Sequence, residues 1–245
     1  MKSYILFFLL VITTGGLSAQ SVDADSLKTK PKKENFADDW AALTKYEKEN
    51  ALLPPRKRKE KRVVFLGSSI FEFWKQKDPG YFNDKPYLDR GISGQISPQL
   101  LIRFRQDVIN LKPKAVIILA GSNDIAGNTG HVTNQKIMDN IKTMAELAKL
   151  HRIKVILCKY LPVYQYPWNK SVHAAEEIMA LNELIVAYAK QKHFTVLDYW
   201  TPLVDERNGQ RAELTVDGVH PNLAGYKIME TVTEAAIKRA FKSRH

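Results

Sequence analysis

A chain of 245 residues and 28.0 kDa is long enough for one well-filled core and short for two. With 44% hydrophobic and 26% charged residues it has the composition of a folded domain, which excludes a disordered chain. The single cysteine excludes an intramolecular disulfide, and the formal charge of +11 raises the question of anionic partners.

In chain order, residues 1–19 read as a secretory signal peptide. Lys2 gives a positive start, residues 4–12 are an unbroken apolar run, and Gly15-Gly16-Leu17-Ser18-Ala19 offers small residues for cleavage. That run is too short to span a bilayer of about 30 Å as a helix. No cysteine follows it closely to carry a lipid, so the expected destination is the periplasm or the exterior. Residues 20–61 read as a basic leader with one helix over 37–53, in which Trp40, Leu43, Tyr46 and Leu52 recur at helical spacing before Pro54-Pro55. Its charge lies in residues 28–33 and in Arg56-Lys57-Arg58-Lys59-Glu60-Lys61-Arg62. Such runs are expected as solvated linkers that also allow peripheral contact with anionic polymers or membrane surfaces. They are not interleaved with aromatics, so no nucleic-acid platform is expected.

The main pattern covers residues 62–245. Strand-type runs fall at 63–66, 87–89, 115–119, 155–160 and 195–198, and helix-type stretches at 97–111, 133–150, 172–190 and 222–241. Ser97-Pro98 suggests an N-cap followed by a first-turn proline. Alternation of this kind implies an α/β fold: a three-layer α/β/α sandwich around a five-stranded parallel sheet. Phe71 and Trp74 are expected in the core, and Cys158, inside an apolar run, as an inert buried thiol.

Ligands of such sheets bind beyond the carboxyl ends of the strands. The residues there form a set suited to acyl transfer. Ser69, in Gly67-Ser68-Ser69, follows the first strand at a helix N-terminus, where a developing negative oxygen meets free N–H groups. Asp217-Gly218-Val219-His220-Pro221 places a carboxylate three residues before an imidazole, so that one ring nitrogen is held and the other is free to act as a base. Gly94 offers a backbone N–H and Asn123 a side-chain amide to an oxyanion. Taken singly, these residues also fit a helix cap, a phosphate cradle, turn residues or a metal ligand pair. His131, His151, His173 and His193 show no paired pattern, so no metal is expected. Tyr164 and Trp168, in the segment after the fourth strand, read equally as a substrate platform and as loop packing.

Together the four blocks resemble those of the SGNH hydrolase superfamily, the GDSL-like lipases and esterases. They are Gly67-Ser68-Ser69, Arg90-Gly91-Ile92-Ser93-Gly94-Gln95, Gly121-Ser122-Asn123-Asp124 and Asp217-Gly218-Val219-His220-Pro221. The nearest likeness is to the bacterial branch similar to platelet-activating-factor acetylhydrolase, including Asp39-Trp40 in the leader. The resemblance implies a flavodoxin-like SGNH fold, Ser69 as nucleophile, His220 as base and Asp217 as its partner. It also implies an oxyanion hole made of Ser69 N–H, Gly94 N–H and the Asn123 amide, with no cofactor. Ser68 stands where the family usually carries Asp, a difference expected to bear on the hydrogen bonding of the turn and on substrate preference and not on the catalytic chemistry. The expected substrate is a carboxylic ester with a short acyl group, such as an O-acetyl group on a glycan. The alternatives are a lysophospholipase or thioesterase taking longer chains, and a non-catalytic glycan-binding module on the same fold.

Overall fold

The computed structural model describes residues 39–243. The apolar segment at 1–19 and the first half of the leader lie outside these residues. The elements are α1 (Glu47–Leu52), β1 (Val63–Gly67), α2 (Ser69–Lys77), α3 (Pro79–Asn83), β2 (Tyr87–Gly91), α4 (Ser97–Asp107), β3 (Ala115–Ile118), α5 (Ser122–Ile125), α6 (Asn134–Leu150), β4 (Lys154–Lys159), α7 (Ala174–Lys192), β5 (Thr195–Asp198) and α8 (Leu223–Lys242).

All five strands pair in parallel, in the order β2-β1-β3-β4-β5. Every residue of β1 and β3 is buried, which is why those runs are continuously apolar and do not alternate. Helices α4, α6 and α7 contact one another along one face, while α2 and α8 meet on the other, where Trp74 stacks on Tyr226 at 5.5 Å. This is the three-layer α/β/α sandwich. Strand order reverses between β1 and β3, so the crevice beyond their carboxyl ends is the expected ligand position.

Three local details differ from the sequence pattern. The leader helix is short, Glu47–Leu52, because residues 40–46 form turns: Ala42 has φ +53° and the Asp39 carboxylate accepts from Thr44 N–H and Oγ. Ser97 is not the N-cap of α4. Ile96 is, and the Ser97 hydroxyl is drawn inward to the buried Asp124 carboxylate at 2.6 Å. The basic run before β1 is a pinned loop in place of a solvated linker. Arg56 donates to the carbonyls of Lys57, Glu60 and Lys112, and buried Arg62 donates to those of Pro54 and Leu111.

The leader also packs on the sheet. Tyr46 is buried and donates to Gly91 O, and Asn50 donates to the Asp107 carboxylate. Phe71, Trp74 and Cys158 are buried as expected, and burial pushes the Cys158 thiol well above its ordinary range.

Candidate active site

The site starts from where β1 stops. Gly67 ends the strand, Ser68 caps α2, and Ser69 is the first helical residue, so its N–H has no acceptor within the helix. From the far end of the sequence, His220 reaches the same point. Its Nε2 lies 2.9 Å from Ser69 Oγ across 151 positions of chain.

The other imidazole nitrogen is fixed by a knitted turn. Asp217 Oδ2 lies 2.8 Å from His220 Nδ1, while Oδ1 accepts the backbone N–H groups of Val219 at 2.9 Å and His220 at 2.7 Å. Gly218, at φ +84°, supplies the left-handed step that brings carboxylate and ring to the same side. An ionised carboxylate only accepts, so the proton of the neutral ring sits on Nδ1 and Nε2 faces the serine as an acceptor. Burial raises the Asp217 carboxyl, but the hydrogen bonds from His220 N–H, its ring and Val219 N–H outweigh it, and the net shift is below the ordinary range. The aspartate is therefore held as the anion.

Opposite the serine runs the loop between β2 and α4. Gly94 sits there at φ +79°, a conformation that favours glycine, and a Cβ added to it meets nothing within 4 Å because the space beyond is open cleft. The loop is held from three sides. The Glu72 carboxylate accepts from Ser93 N–H at 2.7 Å, Gln95 donates to Ala41 O at 2.8 Å, and Arg103 donates to Gln95 Oε1 at 2.6 Å. Asn123, from the turn after β3, donates through Nδ2 to Gln95 O at 2.9 Å, which orients its amide and leaves a second N–H on the same nitrogen. Beneath it, Asp124 accepts from Ser97 N–H and Oγ, and burial raises its carboxyl to about 6.

Ser69, His220, Gly94 and Asn123 line one cleft of about 820 Å³. Trp168 lines it too, half exposed and 6.3 Å from the His220 ring, as does Phe73 at 5.2 Å. Tyr164 does not. Its ring lies under the Arg207 guanidinium at 5.3 Å, packed on the 205–209 turn, so that turn draws it away from the cleft. Ser68 is buried, within hydrogen-bonding reach of the Tyr160 phenol.

Several contributors were not anticipated: Trp40 and Ala42 in the cleft wall, Phe73 against the histidine, and Glu72, Gln95 and Arg103 behind the loop. Arg103 carried a legible signal. With Asp107 it stands on the same helical stripe as Leu100 and Phe104, a position where charge is buried and must be paired. Trp40 was visible only as part of the leader likeness, because the turns over residues 40–46 do not follow the helical spacing in which it was first read. Among the described residues, no group of three or more His, Cys, Asp or Glu side chains is arranged to hold a metal ion.

The comparisons agree with this architecture. A GDSL-like lipase of Bacteroides thetaiotaomicron is 46% identical, and its crystal structure matches 82% of this chain and 98% of its own with a TM-score of 0.80. An uncharacterized lipoprotein of Bacillus subtilis is 35% identical over 81 residues, 32% of this chain and 33% of its own length. An acetylxylan esterase of Xylanibacter ruminicola is 26% identical over 152 residues, 54% of this chain and 30% of its own length. The chain thus spans about a third of the length of the curated relatives it matches. The sequence profile of the GDSL-like lipase/acylhydrolase family covers residues 65–228, from within β1 into α8 and past both Ser69 and His220, and the chain belongs to that family.

Proposed function

We propose that the protein is a serine esterase that cleaves carboxylic esters through an acyl-enzyme. The observation that carries this reading is the continuous hydrogen-bonded series Ser69–His220–Asp217 opening onto the cleft that Gly94 and Asn123 also border. Ser69 Oγ attacks the ester carbonyl as its proton passes to His220 Nε2, and Asp217 stabilises the imidazolium that forms. The oxyanion is received by the N–H groups of Ser69 and Gly94 and the Asn123 amide. The histidine then gives the proton to the departing alcohol. Water, deprotonated by the same nitrogen, releases the acid and restores the serine.

The substrate we favour is a short acyl group, such as acetyl, on a glycan. Three features support it: the half-exposed Trp168 ring beside the histidine offers a face for a sugar, the cleft rim is rich in polar residues, and the chain is similar to an acetylxylan esterase. Export by the apolar segment at residues 1–19 would place the enzyme where such glycans lie.

The test pairs a Ser69→Ala variant with a panel of acyl lengths. Loss of turnover of an aryl acetate with an unchanged melting curve supports the mechanism; full retained activity refutes it. Faster release from acetylated xylan and aryl acetate than from long-chain esters supports the substrate, and the opposite order points to a lysophospholipase or thioesterase.

A further inference from the structure

The pole of the sheet opposite the candidate active site carries a second cleft of about 770 Å³. It lies at the amino ends of the strands, about 15 Å of strand away from the triad. Its rim is strongly cationic: Lys59, Lys61, Lys114, Lys149, Arg152 and Lys192 all line it. None of these six forms an ion pair with a carboxylate among the described residues. The one carboxylate in the lining, Glu60, is engaged by Arg62 at 2.8 Å.

Ordinary helix chemistry explains only part of this. Lys149 and Lys192 stand in the last turns of α6 and α7, where a cation complements the helix dipole. Lys59, Lys61 and Lys114 precede strands, and strands have no comparable dipole to offset. Their placement is also built. Arg56 and Arg62 donate to backbone carbonyls and so hold the 54–62 loop in shape, while Lys59 and Lys61 are exposed, the Lys61 ammonium lying 5.5 Å over the Phe241 ring. Holding like charges together is unfavourable in the free protein, and a polyanion relieves it.

The shape selects the partner. Lys61 and Phe241 also border a further cleft of about 630 Å³, where Lys85 is paired with Glu234 at 3.3 Å and Lys238 and Lys242 add further positive charge, so the surface continues as a groove with a cationic excess. Half-buried Phe194 and Phe241 form part of its floor. A planar bilayer would touch the rim of such a groove and leave the floor empty, whereas an extended chain fills it. Lysines dominate, and their ammonium groups act as point charges that tolerate any register of a repeating anion. Aromatic rings suit the apolar faces of sugars. We infer that this groove binds a linear acidic polysaccharide, on the far side of the molecule from the triad. The inference does not depend on the esterase reading.

The test measures binding of polygalacturonate to the full chain by titration calorimetry at about 0.1 M salt, with phosphatidylglycerol vesicles as a parallel arm. The triple variant Lys59→Glu, Lys114→Glu, Lys149→Glu is compared with a charge-matched triple elsewhere, Lys48→Glu, Lys136→Glu, Lys170→Glu. Weakening of at least about tenfold in the first and less than about threefold in the second supports the groove. The Lys→Gln version of the first triple, checked by thermal melting and by unchanged aryl-acetate turnover, guards against a folding defect. Absent polymer binding, equal losses in both triples, or binding of vesicles and not of polymer would each overturn the proposal.

Discussion

Replacing Asp217 by Asn separates geometry from electrostatics at the proposed triad. The asparagine carbonyl still accepts the Val219 and His220 N–H bonds now made to Oδ1 at 2.9 and 2.7 Å, so the turn persists. What inverts is the contact 2.8 Å from His220 Nδ1. An amide NH2 there donates, which drives the ring proton to Nε2. That nitrogen, 2.9 Å from Ser69 Oγ, is then no longer an acceptor. Loss of the correct tautomer and of the charge that stabilises imidazolium is worth about 10⁴ in kcat in triads of this kind, or about 5 kcal/mol of barrier. The stability cost is expected to be about 1 kcal/mol or less, because the Asp217 side chain is 37% exposed and the backbone bonds survive. The assay is kcat and KM for an aryl acetate, alongside urea unfolding. An Asp217→Asn enzyme within tenfold of wild type would refute the assignment of Asp217 as the partner of a catalytic base. A pH arm follows from the same carboxylate. Since Asp217 is held below the ordinary range, it stays ionised while the medium acidifies, and its own protonation should add no second proton to the acid limb of log kcat/KM, whose slope should stay at about one. A slope of two would contradict an Asp217 held as the anion.

Other outcomes are equally specific. Asn123→Ala should lower kcat by about 10² to 10³ with little change in KM, as expected for one oxyanion donor; a change confined to KM would reassign it to ground-state binding. Asp124, raised by burial from 3.8 to about 6, binds its proton more readily folded than unfolded. Its contribution to stability is therefore complete below about pH 4 and is lost as pH rises toward 6, a span of about 3 kcal/mol at most. Urea unfolding of Asp124→Asn should be flatter than wild type across that window, and parallel curves would contradict the burial argument. Arg103→Met should cost about 3–5 kcal/mol in urea unfolding, since it strands the fully buried Asp107 with Asn50 as its one remaining side-chain donor among the described residues; a loss under about 1 kcal/mol would mean the pair is dispensable.

Periodicity was enough to reveal the sheet and its covering helices, because buried parallel strands must be apolar throughout and β1 and β3 have no other way to be written. The Ser69, Gly94, Asn123 and His220 positions were legible because each follows a strand or precedes a helix at the same pole. Residues 40–46 were not. Their apolar spacing is fixed by tertiary contact, with Tyr46 buried against Gly91 and Ala41 O accepting from Gln95, and a turn at Ala42 replaces the helix that the spacing suggests. Ser97 failed as a cap for a related reason: a buried carboxylate 2.6 Å away competes better for its hydroxyl than the helix end does. Tyr164 and Trp168 share a segment and a composition, and only the position of the 205–209 turn decides which one reaches the cleft.

Trp40 and Ala42 enclose the serine from a stretch that precedes the first strand and contributes to no layer of the sandwich. Two carbonyls of that wall tie it to the body, Trp40 O accepting from Gln99 at 2.6 Å and Ala41 O from Gln95 at 2.8 Å. Backbone attachment is indifferent to which side chain is carried. These two bonds outlast an exchange of the side chain at position 40, so a substitution there reshapes the cleft wall while the segment stays tied to the loop and helix that follow Gly94.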